Sequence, residues 1–98
     1  MSKIKLDLNH PIFQQDFLNL EKVEIVALQK TLRKISNLTW IELHKDNGLK
    51  WEAINVKHDR VKDRIYTFRF SQKYRATAIR EDNTIRILTL HVDHDSAY

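Results

Sequence analysis

The stretch "RIYTFRFSQKYRATAIREDNTIRILTLHV", residues 64–92, decides the fold. In 65–71, Tyr66, Phe68 and Phe70 fall on one side of an extended chain, and Ile65, Thr67, Arg69 and Ser71 on the other. That period of two is the mark of a half-buried strand. "SQK" (71–73) makes a short turn and 74–80 a second strand. "EDNT" (81–84) is a hairpin connection, because short polar residues tolerate turn backbone angles. Residues 85–92 are mostly apolar, which predicts a strand covered on both faces.

Upstream, "KIKLDL" (3–8) alternates Ile4, Leu6 and Leu8 against Lys3, Lys5 and Asp7, as a strand does. Asn9 is placed to cap a helix, with Pro11 in the first turn, where its missing N–H costs nothing. Residues 11–36 read as helical with a break near 20–22. Phe13, Phe17 and Leu20, then Ile25, Leu28, Leu32 and Ile35, form the inward stripes. Lys30, Arg33 and Lys34 fall outside, near a helix C-terminus. "TWIE" (39–42) has the capping-box spacing of Thr39 and Glu42, so a short third helix should run to about 46 and stop at Asn47-Gly48. "LKWEAI" (49–54) predicts a strand and the polar 55–63 a loop. Trp40 and Trp51 are expected in the core. The order is an N-terminal strand, two or three helices, then four further strands. It implies an α+β fold: a mainly antiparallel twisted sheet with the helices on one face.

With 98 residues the chain is expected to form a single domain, 1–98. One Gly and one Pro leave little room for linkers, and no low-complexity tract occurs. Cysteine is absent, which removes disulfides and thiolate metal sites. No run of 18 apolar residues and no signal-peptide core appears, so the expected location is cytoplasmic, away from membranes. The net charge of +4 is unevenly spread: residues 57–86 hold nine Lys/Arg against four Asp/Glu, while the remainder is close to neutral. A concentrated basic segment suits nucleic acid or an acidic protein; the plain alternative is a solvated face.

The segment 65–98 resembles the core of the RelE/ParE superfamily of toxins from bacterial toxin–antitoxin pairs. The residues that carry the likeness are Tyr74-Arg75, the hairpin 81–84, the apolar strand 85–90, and the tail His94-Asp95-Ser96-Ala97-Tyr98. It is strongest over 49–98; the N-terminal half agrees in element order. The resemblance implies a RelE-like fold, a cognate antitoxin as partner, and ribosome-dependent cleavage of mRNA through the ribose 2′-OH. The ParE branch instead poisons DNA gyrase, and a catalytically silent antitoxin-binding module is a third possibility. Residue by residue, it makes Arg75 the arginine on the scissile phosphate and Arg69 its neighbour on the preceding strand. It makes His94 the general acid and Tyr98 the residue that orients or stacks on the substrate.

The chemistry asks for such groups. Attack by the 2′-OH needs a base, an acid for the leaving 5′-oxygen, and positive charge at the phosphorane. Arginine meets two phosphate oxygens with a planar fork and stays protonated. Arg69 and Arg75 lie on adjacent strands and can share a face; the alternative for Arg75 is a buried arginine paired with a carboxylate. An unperturbed imidazole titrates near neutrality, which makes His94 the acid candidate; His91, three residues earlier, is a candidate for contact with the nucleic acid, and either can be a plain surface histidine. The His91/His94 pair with Asp93 and Asp95 lacks a third ligand at metal-site spacing, so no metal or cofactor is assigned. Tyr98 can stack on a base or anchor the tail in the core. Lys57, Arg60, Lys62, Arg64 and Lys73 are candidates for phosphate contacts, which position a nucleic acid without reading its sequence.

Overall fold

A computed structural model describes residues 3–54 and 64–92. The hairpin segment forms as its alternation requires: β3 (Ile65–Arg69), β4 (Arg75–Glu81) and β5 (Thr84–His91) pair in antiparallel succession. A two-residue strand, β2 (Glu52–Ala53), extends the sheet beside β3. β1 (Lys5–Asp7) joins the other edge, parallel to β5. The sheet order is β1-β5-β4-β3-β2, so it is mixed, with a single parallel pair, and the fold is α+β.

Three helices lie between β1 and β2 in sequence: α1 (Pro11–Leu18), α2 (Lys22–Ile35) and α3 (Trp40–Lys45). The helical stretch breaks where expected. The first cap is not where expected: His10, not Asn9, caps α1, its Nδ1 accepting the Ile12 N–H at 3.3 Å. Asn9 is drawn the other way, its own N–H bonding Asp7 Oδ1 at 2.9 Å. The Thr39/Glu42 capping box forms in full, and α3 ends with Asp46 as C-cap. The strand expected over 49–54 shrinks to two residues. Lys50 takes φ 50°, a left-handed conformation that no strand can contain.

Phe13, Leu28, Ile35 and Leu43 from the helices meet Phe68, Phe70, Ala76, Ala78, Ile85, Ile87 and Leu90 from the sheet, all buried. The helices therefore cover one face. The inward stripe differs from expectation at two points. Phe17 is left at the margin, its ring centroid 6.0 Å from that of Phe13. Glu24, rather than Ile25, occupies an interior position of α2; its Oε1 accepts the Glu21 N–H at 2.7 Å, completing the α2 capping box. Trp51 stacks on Tyr66 at 4.7 Å, and Trp40 packs against the core while Arg80 lies over its ring at 3.7 Å.

β5 is not covered on both faces. Ile85, Ile87 and Leu90 are buried, and Arg86, Thr89 and His91 turn the other way. The register holds Ala78 opposite Ile87 but Thr77 opposite Thr89, so Leu88 is the extra residue of a β-bulge. The bulge shifts the alternation by one and makes a one-sided strand read as uniformly apolar.

Candidate nucleic-acid interface

The face turned away from the helices is built by register. Arg69 on β3 is paired with Arg75 on β4, and Arg75 with His91 on β5. Directly opposite residues in antiparallel strands hold their Cβ atoms about 4.5–5.5 Å apart on the same side. Three cationic or titratable side chains thus form one row across three strands. The next row reads Glu52, Thr67, Thr77, Thr89 across β2 to β5. Members of both rows line an open groove of about 490 Å³, whose walls are Glu52, Ala53, Ile54, Thr67, Arg75, Thr77 and His91.

Arg75 and His91 are exposed and Arg69 half-buried. No ion pair to a described carboxylate forms at either arginine. Arg75 is therefore not a buried arginine, and no carboxylate among the described residues pairs with it. Other basic residues of the same segment are occupied. Arg86 bonds Asp7 at 3.0 Å and Glu81 at 3.2 Å, and Arg80 packs on Trp40 while donating to the Asp82 carbonyl at 3.2 Å. Asp7 is held below the usual aspartate value by the Asn9 backbone N–H and then by Arg86. The local excess of basic residues is thus partly neutralised within the fold, and the Arg69/Arg75 pair is where positive charge stands together.

Lys73 sits in the turn between β3 and β4, where its backbone N–H bonds Ser71 Oγ at 3.1 Å. Arg64 is exposed just ahead of β3. Lys57, Arg60, Lys62, His94 and Tyr98 lie outside the described residues. The fold brings together Arg69, Arg75 and His91 and adds groups that sequence reasoning did not single out: Glu52, Thr77 and Thr89. Alternation had already put Thr67 beside Arg69. Nothing in a two-residue strand reveals which way Glu52 points; only its pairing with Thr67 does.

No family model and no curated protein matches the chain. Among solved structures it is similar to that of a copper-bound mutant toxin from Helicobacter pylori, at 18% identity and a TM-score of 0.49, covering 100% of both chains. At that TM-score the likeness defines neither a family nor a function. No described helix is long and apolar enough to cross a membrane.

Proposed function

We propose that this chain is the toxin of a toxin–antitoxin pair and acts as an endoribonuclease on ribosome-bound mRNA. The observation that carries the reading is the row Arg69–Arg75–His91 beside a groove that also presents Glu52. Like charges opposite one another cost stability, so two adjacent arginines without carboxylate partners among the described residues suit an anion that arrives from outside.

A phosphodiester held at Arg75 would have a carboxylate and an imidazole within the same groove. In the proposed reaction a base takes the 2′-OH proton and the 2′-oxygen attacks phosphorus. The bond to the 5′-oxygen breaks as an acid protonates that oxygen. The products are a 2′,3′-cyclic phosphate and a free 5′-OH. Glu52 is the carboxylate placed to accept the first proton, and Arg75 with Arg69 neutralises the phosphorane. His91 is the imidazole of the described groove. His94 as acid and Tyr98 as stacking residue are roles that the sequence resemblance supports. Tight hold on RNA is expected to draw on the further cations Lys73 and Arg64.

The test is induced expression followed by primer extension on reporter mRNAs. Cuts inside translated codons, lost in Arg75→Ala, support the reading. Double-strand DNA breaks with intact mRNA would select the gyrase alternative. Growth without either lesion would leave an antitoxin-binding module.

A further inference from the structure

Two residues of the groove wall are joined by a hydrogen-bonded hydroxyl chain for which the reaction above has no use. Thr77 and Thr89 are register partners whose hydroxyl oxygens are hydrogen-bonded to each other. Thr89 Oγ1 also lies 2.8 Å from His91 Nε2. Thr77 and His91 line the groove, and Thr89 joins them from outside that lining. An exposed histidine at a strand end ordinarily turns freely; here one ring nitrogen is tied, and Nδ1 is the nitrogen left for a ligand.

A threonine hydroxyl has a single hydrogen, so Thr89 donates to one neighbour and accepts from the other. If Thr89 donates to Nε2, neutral His91 is the Nδ1–H tautomer and Thr77 donates to Thr89. If Thr89 donates to Thr77, His91 must donate through Nε2, and neutral His91 offers only a lone pair at Nδ1. An oxyanion accepts hydrogen bonds and offers none. Beside Arg75 it is compatible with neutral His91 only when the chain runs from Thr77 through Thr89 to Nε2.

We propose that Thr89, backed by Thr77, is a positioning residue that sets the tautomer of His91, so that an oxyanion held at Arg75 meets Nδ1–H. The inference rests on the reading of the groove as a phosphodiester site. It adds that the hydroxyl row is part of the anion site rather than sheet decoration.

The experiment is ring-nitrogen NMR of ¹⁵N-histidine protein at about pH 8, above the ordinary imidazole range, with sulfate as the probe, an oxyanion that like a phosphodiester carries no proton at that pH. The spectrum of His91→Gln assigns the signals. The expected result is a dominant Nδ1–H tautomer when sulfate is bound. Thr89→Val keeps the β-branched shape and loses the hydroxyl. It should move His91 toward Nε2–H and weaken sulfate binding by about 3- to 10-fold, the usual worth of one hydrogen bond. Thr89→Ser should restore both. Thr77→Val should show the same trend more weakly, and it carries the test if Thr89→Val does not fold. A dominant Nε2–H tautomer in the sulfate-bound parent overturns the proposal. So does an unchanged tautomer in the folded valine variants. A protein that shows the tautomer shift yet cuts no RNA removes the nuclease reading alone.

Discussion

Under the proposed function, Arg75 is the residue at which activity and stability pull in opposite directions. It faces Arg69 on one side and His91 on the other, is exposed, and has no carboxylate partner among the described residues. An arginine that served the fold would lose stability when truncated. Here Arg75→Ala should leave the protein equally stable or more stable, by about 0.2–1 kcal/mol, because it removes a like-charge pair across the strands. If the chain cleaves RNA as proposed, the same change should lower that activity by about 100- to 1,000-fold, the usual cost of one electrostatic contact to a transition state. Denaturant melts and single-turnover cleavage measure the two sides. A clear loss of stability would return Arg75 to a structural role. Sequence alone could pair Arg69 with Arg75 because a short turn between alternating strands puts them side by side. It could not show that Arg86, six residues beyond Arg80 in the same basic segment, is neutralised, since its partner Asp7 comes from the other end of the chain.

At the scale of elements, the junction after α3 is held by one carboxylate. Asp46 bonds Lys34 of α2 at 2.7 Å and accepts the backbone N–H groups of Gly48 and Leu49, both at 2.9 Å. Lys34 foremost, then those N–H groups, hold its carboxyl below the ordinary 3.8. A depressed folded value means that stability from this group is complete above the ordinary value and is lost as pH falls through the folded one. Asp46→Asn should therefore cost about 1 kcal/mol at neutral pH, allowing for solvent screening, and the gap from the parent should close in strong acid. Melts compared at neutral and acid pH check it; a gap that stays constant would rule out the ionic origin. Thr39→Ala should cost a further, pH-independent amount of about 1 kcal/mol through loss of the α3 cap. That cap was legible because a capping box is local, four residues in a row. The α1 cap was not, because Asn9 is recruited by the strand end behind it. β5 was misjudged for a similar reason. Leu88 adds one residue to a two-residue period, and a bulge is visible only once the partner strand is in place.

Over the whole molecule, the two sides of the sheet differ in kind. One is roofed by helices that leave Ile12, Leu18, Val23, Val26 and Ile41 exposed on their outer surfaces. The other carries the Arg69–Arg75–His91 row and the groove. If the open side binds a single-stranded RNA backbone, each phosphate it neutralises should add about 0.7 to the slope of log affinity against log salt. Replacing Arg69 and Arg75 together by alanine should then lower that slope by about 1.4, whatever the RNA sequence, because phosphate contacts position the strand and do not read bases. Val23→Ser with Val26→Ser, on the far side, should change neither slope nor affinity. Binding of a catalytically inert variant to a short labelled RNA, titrated with salt, measures all three. A double-arginine variant with the parental slope would show that RNA is held elsewhere. A serine variant that loses RNA binding would show that the helical side is the nucleic-acid surface, and the division of labour between the two faces would be reversed.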